Sequence, residues 1–188
     1  MNKIILLGRC CRVTFDMIDL KLKGKTSLFE WVWSDTLDEI NIIIQKLINN
    51  EPIIIKRIDN NNDCMDGTNI KTSHYVNKDY SEFVSRRSKR FLNDIMCNEI
   101  LFIRDDNMNT IKLEEIEKFY SLIKMINPQS SFKFLLLSDK AKFNQITYPN
   151  LHHKVYDKSL YKTYINELCQ MDNTIGNVDT GDISDTEA

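Results

Sequence analysis

Short apolar runs alternate with longer amphipathic segments along most of this chain. The apolar runs lie at residues 3–8, 52–58, 99–105 and 132–139, and segments with hydrophobic residues at helical spacing follow them. This alternation predicts an α/β fold of three layers, in which crossover helices connect the strands of a mostly parallel sheet. We expect a single domain over residues 1–170.

The helical pattern is clearest in three segments. Residues 35–50 place leucine and isoleucine every three or four positions, with Ser34 or Asp35 as the expected N-cap. Residues 79–96 and 112–126 repeat the pattern. The second of these helices also carries a basic stripe opposite its apolar one, which is typical of a solvated face. The stripe consists of Arg86, Arg87, Lys89 and Arg90.

The stretch at residues 59–78 is rich in Asn, Asp and Gly, and it is too polar to be core structure. Long loops in compact domains are uncommon and often functional, so we interpret this stretch as a polar loop that carries His74. Further along, His152 and His153 precede a late strand and are interpreted as surface or turn residues. A last helix is expected over residues 159–169.

Charge is unevenly distributed along the chain. In total, 25 Lys and Arg residues against 27 Asp and Glu residues give a net charge of −2. Residues 171–188 hold five of the acids and no basic residue, which predicts an acidic, disordered tail. The remainder has 25 basic against 22 acidic residues, a net charge of +3. This surplus is too small to indicate a nucleic-acid partner.

Composition also bounds the compartment. No apolar stretch approaches the roughly 20 residues that span a bilayer, and the first residues are too short for a secretory signal. The five cysteines are odd in number and form no C-x-x-C pair, so neither a disulfide framework nor a zinc site is indicated. The sequence predicts a soluble protein with reduced thiols in the cytoplasm, or in the host cytoplasm if it is viral. It indicates no cofactor.

In open parallel sheets, ligands bind outside the carboxyl ends of the strands. Applied to the apolar runs, this rule selects polar residues without the help of any motif. The residues selected are Gly8 to Cys11, Asp59, Arg104, Asp105, Asp106, Ser138 and Asp139. We expect them to line one edge of the sheet.

Cys10 and Cys11 stand where the first apolar run gives way to a predicted helix. A helix N-terminus favours the thiolate, which is the reactive form of cysteine, although free cysteine is also commonly buried. Thiol catalysis needs a base and a group that orients the base. His74 is the candidate base. The carboxylates that could orient it are Asp63, Asp66, Asp105 and Asp106.

Two weaker chemistries remain open. Arg9, Arg12 and Arg104 could bind an anion near the helix start, although no phosphate-binding motif is present. A metal site built from His74 and the aspartates of the polar loop lacks any recognised ligand spacing.

Five segments taken in order, LLGRCCRVTFDM, SLFEWVWSDTLDEI, SHY, YSEFVSRRSKRF and ILFIRDD, resemble the papain-like cysteine peptidase family. This is a family of unknown function found in bacteria and in large DNA viruses. The resemblance covers roughly residues 3–140 and implies that Cys11 and His74 are the family's cysteine and histidine. This chain has Leu-Phe-Glu-Trp at residues 28–31 where the family has Pro-Phe-Asp-Trp. The remaining matches are Arg86, Arg87, Arg90, Phe91, Phe102 and Arg104.

These observations lead to one functional hypothesis and two alternatives. The hypothesis is a thiol-dependent hydrolase with Cys11 as nucleophile, His74 as general base, and Asp105 or Asp106 as the residue that orients the base. The first alternative is a non-catalytic, viral-type interaction protein that binds partners through its acidic tail and its basic helix. The basic residues concerned are Arg86, Arg87 and Arg90. The second alternative is an α/β enzyme acting on a phosphorylated or sugar-nucleotide ligand at the sheet edge.

Overall fold

The computed structural model describes residues 3–9, 11–60, 62–72, 80–97, 99–106, 110–138 and 148–169. The strands are β1 (Lys3–Leu6), β2 (Ile55–Arg57), β3 (Asp63–Met65), β4 (Lys71–Thr72), β5 (Glu99–Asp105), β6 (Ser131–Ser138) and β7 (Leu151–Val155). The helices are α1 (Arg12–Asp19), α2 (Leu37–Ile48), α3 (Tyr80–Ile95), α4 (Leu113–Ile126) and α5 (Tyr161–Cys169), the last preceded by a 3₁₀ turn at Lys158–Leu160.

The main sheet is parallel and has the strand order β1-β5-β6-β7. Its register pairs Lys3 with Ile100, Glu99 with Ser131, and Phe134 with Leu151. The four strands of this sheet therefore run in the same direction. We call the end of the sheet where its strands begin the amino edge, and the end where they finish the carboxyl edge. The predicted α/β class with a mostly parallel sheet is confirmed.

Strand alternation divides the hydrophobic residues into two cores. Ile5, Phe102 and Phe134 lie in the larger core, where they pack with residues of α2, α3 and α4. Their neighbours Leu6 and Ile103 lie in the smaller core with residues of α1 and α5. The sheet is thus covered by helices on both faces, which confirms the three-layer arrangement.

Helix α2 begins later than the sequence pattern indicated. Thr36, rather than Ser34 or Asp35, is the N-cap, because its side chain accepts a hydrogen bond from the Glu39 backbone N–H. The Glu39 carboxylate in turn accepts one from the Thr36 backbone N–H at 3.3 Å. This reciprocal pair is a capping box, in which two of the unpaired N–H groups at the helix start are satisfied.

The segment between α2 and α3 departs from the predictions. The apolar run at 52–58 supplies β2 of a small antiparallel sheet (β2-β3-β4) and not a strand of the main sheet. The predicted polar loop contains the other two strands, with Met65 and Ile70 buried in the larger core. Its Asn, Asp and Gly residues form tight turns, as at Gly67 with φ +81°. Asp59 therefore lies on a hairpin and not at the carboxyl edge.

The late strand also begins earlier than predicted. His152 and His153 lie within β7, opposite Leu135 and Leu136 of β6, and are not turn residues. The helix expected after it is present as α5. Within the described parts of the chain, no helix is long and apolar enough to cross a membrane.

Candidate functional site

The turn that follows β1 has an unusual backbone. Gly8 and Arg9 have φ values of +67° and +85°, in the left-handed region that residues other than glycine rarely adopt. A Cβ atom on Gly8 would lie 3.1 Å from the Phe29 carbonyl oxygen and 3.1 Å from a methyl group of Val32. The chain thus turns sharply at the carboxyl edge and passes directly against the segment after Phe29.

Cys11 is the N-cap residue of α1 and stands two positions after Arg9 in the sequence. Its carbonyl oxygen accepts a hydrogen bond from the Phe15 N–H at 3.0 Å, and its side chain is half-buried. Burial raises the pKa of the Cys11 thiol. Desolvation thus opposes the stabilisation of the thiolate that the sequence predicted from the helix start.

Two buried arginines converge on Ser34 beside this turn. Arg9 donates from Nη1 to the Ser34 and Asp35 carbonyl oxygens and to the Asp35 carboxylate, at 3.0–3.2 Å. Arg104 donates to the Leu7 carbonyl oxygen at 2.6 Å and to Ser34 Oγ at 3.0 Å. Burial lowers the pKa of Arg104 to about 10, so it remains charged at neutral pH. Through these hydrogen bonds, both guanidinium groups connect the segment before α2 to the residues at the end of β1.

A third arginine joins α1 to β5. Arg12 donates from Nε and Nη2 to the two carboxylate oxygens of Asp105 at 2.8 and 2.7 Å. Its guanidinium carbon also lies 3.4 Å from the centroid of the Tyr156 ring. Tyr156 in turn donates its hydroxyl to Asp16 at 2.8 Å. Arg12, the residue next to Cys11, is therefore held both by a bidentate ion pair with Asp105 and by stacking on the Tyr156 ring.

Asp105, the last residue of β5, and Asp106, which follows it, face opposite sides of the sheet. Asp106 lies on the side of the larger core, where its carboxylate accepts hydrogen bonds from the backbone and hydroxyl of Thr110 at 3.0 and 3.2 Å. Burial raises the pKa of Asp106, and Arg104 opposes the shift. Asp105 is thus the one of the two that is joined by hydrogen bonds to the start of α1.

The basic stripe of α3 is only partly solvated. Arg86 is exposed, but Arg87 is fully buried and Arg90 donates to the Thr26 carbonyl oxygen at 2.8 Å. Arg87 interacts electrostatically with buried Glu30, whose pKa burial raises. The prediction of a solvated face is therefore wrong at Arg87, because the segment before Glu30 packs across this part of the helix.

Several predicted site residues lie elsewhere or outside the described residues. His74, Cys10 and Asp139 are outside them. Ser138 is buried at the carboxyl end of β6. The hairpin aspartates form ion pairs, Asp63 with Arg57 and Asp66 with Lys56. Over the part of the chain that the structure describes, no group of three His, Cys, Asp or Glu side chains could hold a metal ion.

Two residues at the site were not predicted from the sequence. Ser34 accepts hydrogen bonds from both buried arginines, yet nothing in its sequence neighbourhood marks it as an acceptor. Tyr156 follows β7 directly, and its N–H bonds to the Ser138 carbonyl oxygen at 2.7 Å. The carboxyl-end rule selects Tyr156 once the bounds of β7 are known.

Comparison with protein-family models, with curated proteins and with solved structures finds no match to this chain. The resemblance to the papain-like cysteine peptidase family therefore stays a prediction.

Proposed function

We propose that this protein is a thiol-dependent hydrolase that uses Cys11 as its nucleophile. The observation that carries the proposal is the position of Cys11 at the start of α1, two residues after the left-handed pair Gly8 and Arg9 and at the carboxyl edge of a parallel sheet. A tight strand-to-helix turn at this edge presents a nucleophile in other α/β enzymes. Backbone outliers of this kind cluster at functional sites.

The thiol has to lose its proton as it attacks, because burial disfavours the free thiolate. In the proposed reaction a base takes the Cys11 proton while the sulfur bonds to the substrate carbonyl carbon, and the leaving group departs with that proton. Water then cleaves the thioester and restores the thiol. The base is His74, on the sequence prediction. Such chemistry needs a reduced thiol, which fits the predicted cytoplasmic location.

Asp105 has a different proposed role from the one suggested by the sequence. Both its oxygens accept hydrogen bonds from Arg12, so we assign it to positioning the start of α1 and not to orienting the base. Arg9 and Arg104 support the same turn from the other face of the sheet. We therefore assign these four charged residues to positioning the backbone around Cys11, and not to direct contact with the substrate.

The test is the pH dependence of Cys11 alkylation by iodoacetamide in the folded protein, read by peptide mass spectrometry. We expect His74→Ala to slow alkylation at pH 7 by about tenfold or more, because the base no longer accepts the thiol proton. In that variant the apparent pKa of Cys11 is expected to lie above the ordinary value, as burial dictates.

Cys97 serves as an internal control, because it is also half-buried and follows α3, at the opposite end of the sheet from Cys11. Its alkylation should not respond to His74→Ala. Equal Cys11 rates in the two proteins would reject the Cys11–His74 pair. A positive result justifies a screen of ester, thioester and peptide substrates, with Cys11→Ser as the inactive reference.

The second candidate is the non-catalytic interaction protein. The observation that favours it is the burial of Cys11, which raises the pKa of the thiol and so lowers the fraction of reactive thiolate. Under this function, Cys11 is alkylated only when the protein unfolds, and Cys11→Ala leaves every binding property unchanged.

A further inference from the structure

An open groove of about 530 Å³ lies on the outer side of α3, and we call it the α3 groove. Its charged lining residues are Lys25, Glu82, Arg86, Lys89, Arg90 and Asp94. The four cations outnumber the two acids. The groove is therefore a positively charged concave surface, away from the Cys11 turn.

Three of the four cations of the α3 groove, Lys25, Lys89 and Arg90, have no acidic partner among the residues that the structure describes. Asp94 is bound by Lys3 at 2.9 Å, so its charge is already matched. Lys25 and Lys89 are exposed, and among the described residues neither forms an ion pair. Arg90 gives one N–H group to a neutral carbonyl oxygen, which leaves its charge uncompensated. The groove thus favours an anionic occupant with several charges.

The chain itself contains a segment of that chemistry. Residues 171–188 hold five carboxylate side chains and no Lys or Arg, and we call them the acidic tail. The tail begins two residues beyond the end of α5 at Cys169. We propose that the acidic tail docks in the α3 groove of the same molecule.

Geometry allows this docking. Lys133, near the start of β6, donates to the Leu168 carbonyl oxygen, which places the end of α5 at the amino edge of the sheet. The groove lies at the same edge, because its Asp94 is paired with Lys3 at the start of β1. Two strand spacings separate β1 from β6, about 10 Å, whereas 18 extended residues reach about 60 Å. The tail can therefore pass around the sheet to the opposite layer.

Attachment to the same chain strengthens such an interaction. A short linker gives the tail an effective concentration of about millimolar at the groove, so that several weak ion pairs suffice for occupancy. Added salt should displace the tail, because the screening length falls to about 3 Å at 1 M ionic strength.

The experiment is zero-length carbodiimide cross-linking of the full-length protein, with the linked residues identified by mass spectrometry. We expect links from Lys25 and Lys89 to the tail carboxylates at low salt, and their loss at 1 M salt. Lys112 is the matched control, because it is also exposed, forms no ion pair among the described residues, and lies at the carboxyl edge before α4. It should not link to the tail.

A second measurement does not depend on cross-linking. In a variant with the five tail acids changed to Asn or Gln, acetylation of Lys25 and Lys89 should become about threefold faster or more, while that of Lys112 stays constant. Tail links spread equally over Lys112 and the groove lysines would overturn the proposal. So would links found only between two copies of the chain, or acetylation rates that do not change.

Discussion

At the scale of single residues, the backbone of the candidate site is most restricted at the left-handed turn after β1, formed by Gly8 and Arg9. A Cβ atom added at Gly8 would lie 3.1 Å from both the Phe29 carbonyl oxygen and the Val32 side chain, which is closer than ordinary van der Waals contact. Arg9 adopts the same backbone region without being a glycine, and its N–H donates to Ser34 Oγ at 3.3 Å. The strained backbone of this turn is thus supported by specific contacts.

We expect Gly8→Ala to lower the free energy of unfolding by about 2–4 kcal/mol, from the left-handed φ and the close backbone oxygen together. The measurement is urea unfolding. Gly24→Ala is the matched control, because an added Cβ there meets nothing within 4 Å, and its effect should stay within about 0.5 kcal/mol. Equal effects at the two glycines would contradict the role assigned to Gly8.

At the scale of elements, the start of α1 depends on contacts with distant parts of the chain. Arg12 bonds to Asp105 at the end of β5 and stacks on Tyr156 after β7. Asp105 is fully buried, so its charge needs this partner. The Arg12 contacts therefore couple the helix that carries Cys11 to two strands of the main sheet.

Arg12→Met should cost about 2–4 kcal/mol in the free energy of unfolding, because it leaves the buried Asp105 carboxylate without its bidentate partner. Lys118→Met is the control, since it removes an exposed ion pair with Asp38 of the same 2.7 Å length. Its cost should be about 0–1 kcal/mol. Chemical denaturation measures both, and a similar cost for the two variants would show that Arg12 has no anchoring role.

Most elements could be predicted from periodicity, and the exceptions have physical causes. Strands β1, β5 and β6 are apolar because helices cover both faces of the sheet, and α2, α3 and α4 have long amphipathic stripes. The small sheet was missed because β3 and β4 are two or three residues long and separated by polar turns. No periodicity can be read from segments of that length.

The candidate site could be predicted only as a set of positions. The carboxyl-end rule selected Cys11, Arg104 and Asp105, and all three lie at that edge. The sequence did not show that Arg9 and Arg104 form hydrogen bonds within the protein, because their acceptor residue Ser34 comes from a different part of the chain. Whether a side chain faces a ligand or an internal acceptor is decided by tertiary packing.

At the scale of the whole molecule, stability should differ between the two sheets. Strand β5 lies between β1 and β6, and all its residues except the first are buried. Strand β2 is half-buried at Ile55 and exposed at the next two residues. We therefore expect β5 to open only with global unfolding, whereas β2 can open locally.

Native-state hydrogen exchange followed by NMR tests this difference. Amides of Ile100 to Ile103 should exchange at the free energy of global unfolding and should follow its dependence on urea. Amides of β2 should exchange through smaller openings with little dependence on urea. Equal exchange free energies in β2 and β5 would show that the two sheets unfold as one unit.

The pairing of β1 with β5 also has a consequence for the synthesis of the protein. Lys3 pairs with Ile100, so β1 leaves the ribosome well before its partner strand has been made. In the described part of the chain β1 has no other strand neighbour, while the β2-β3-β4 sheet pairs locally. Contacts this far apart in sequence slow folding, and they leave the nascent apolar strand open to aggregation or to chaperones. A chain interrupted before Glu99 therefore cannot begin its main sheet, however much of the first half has been made.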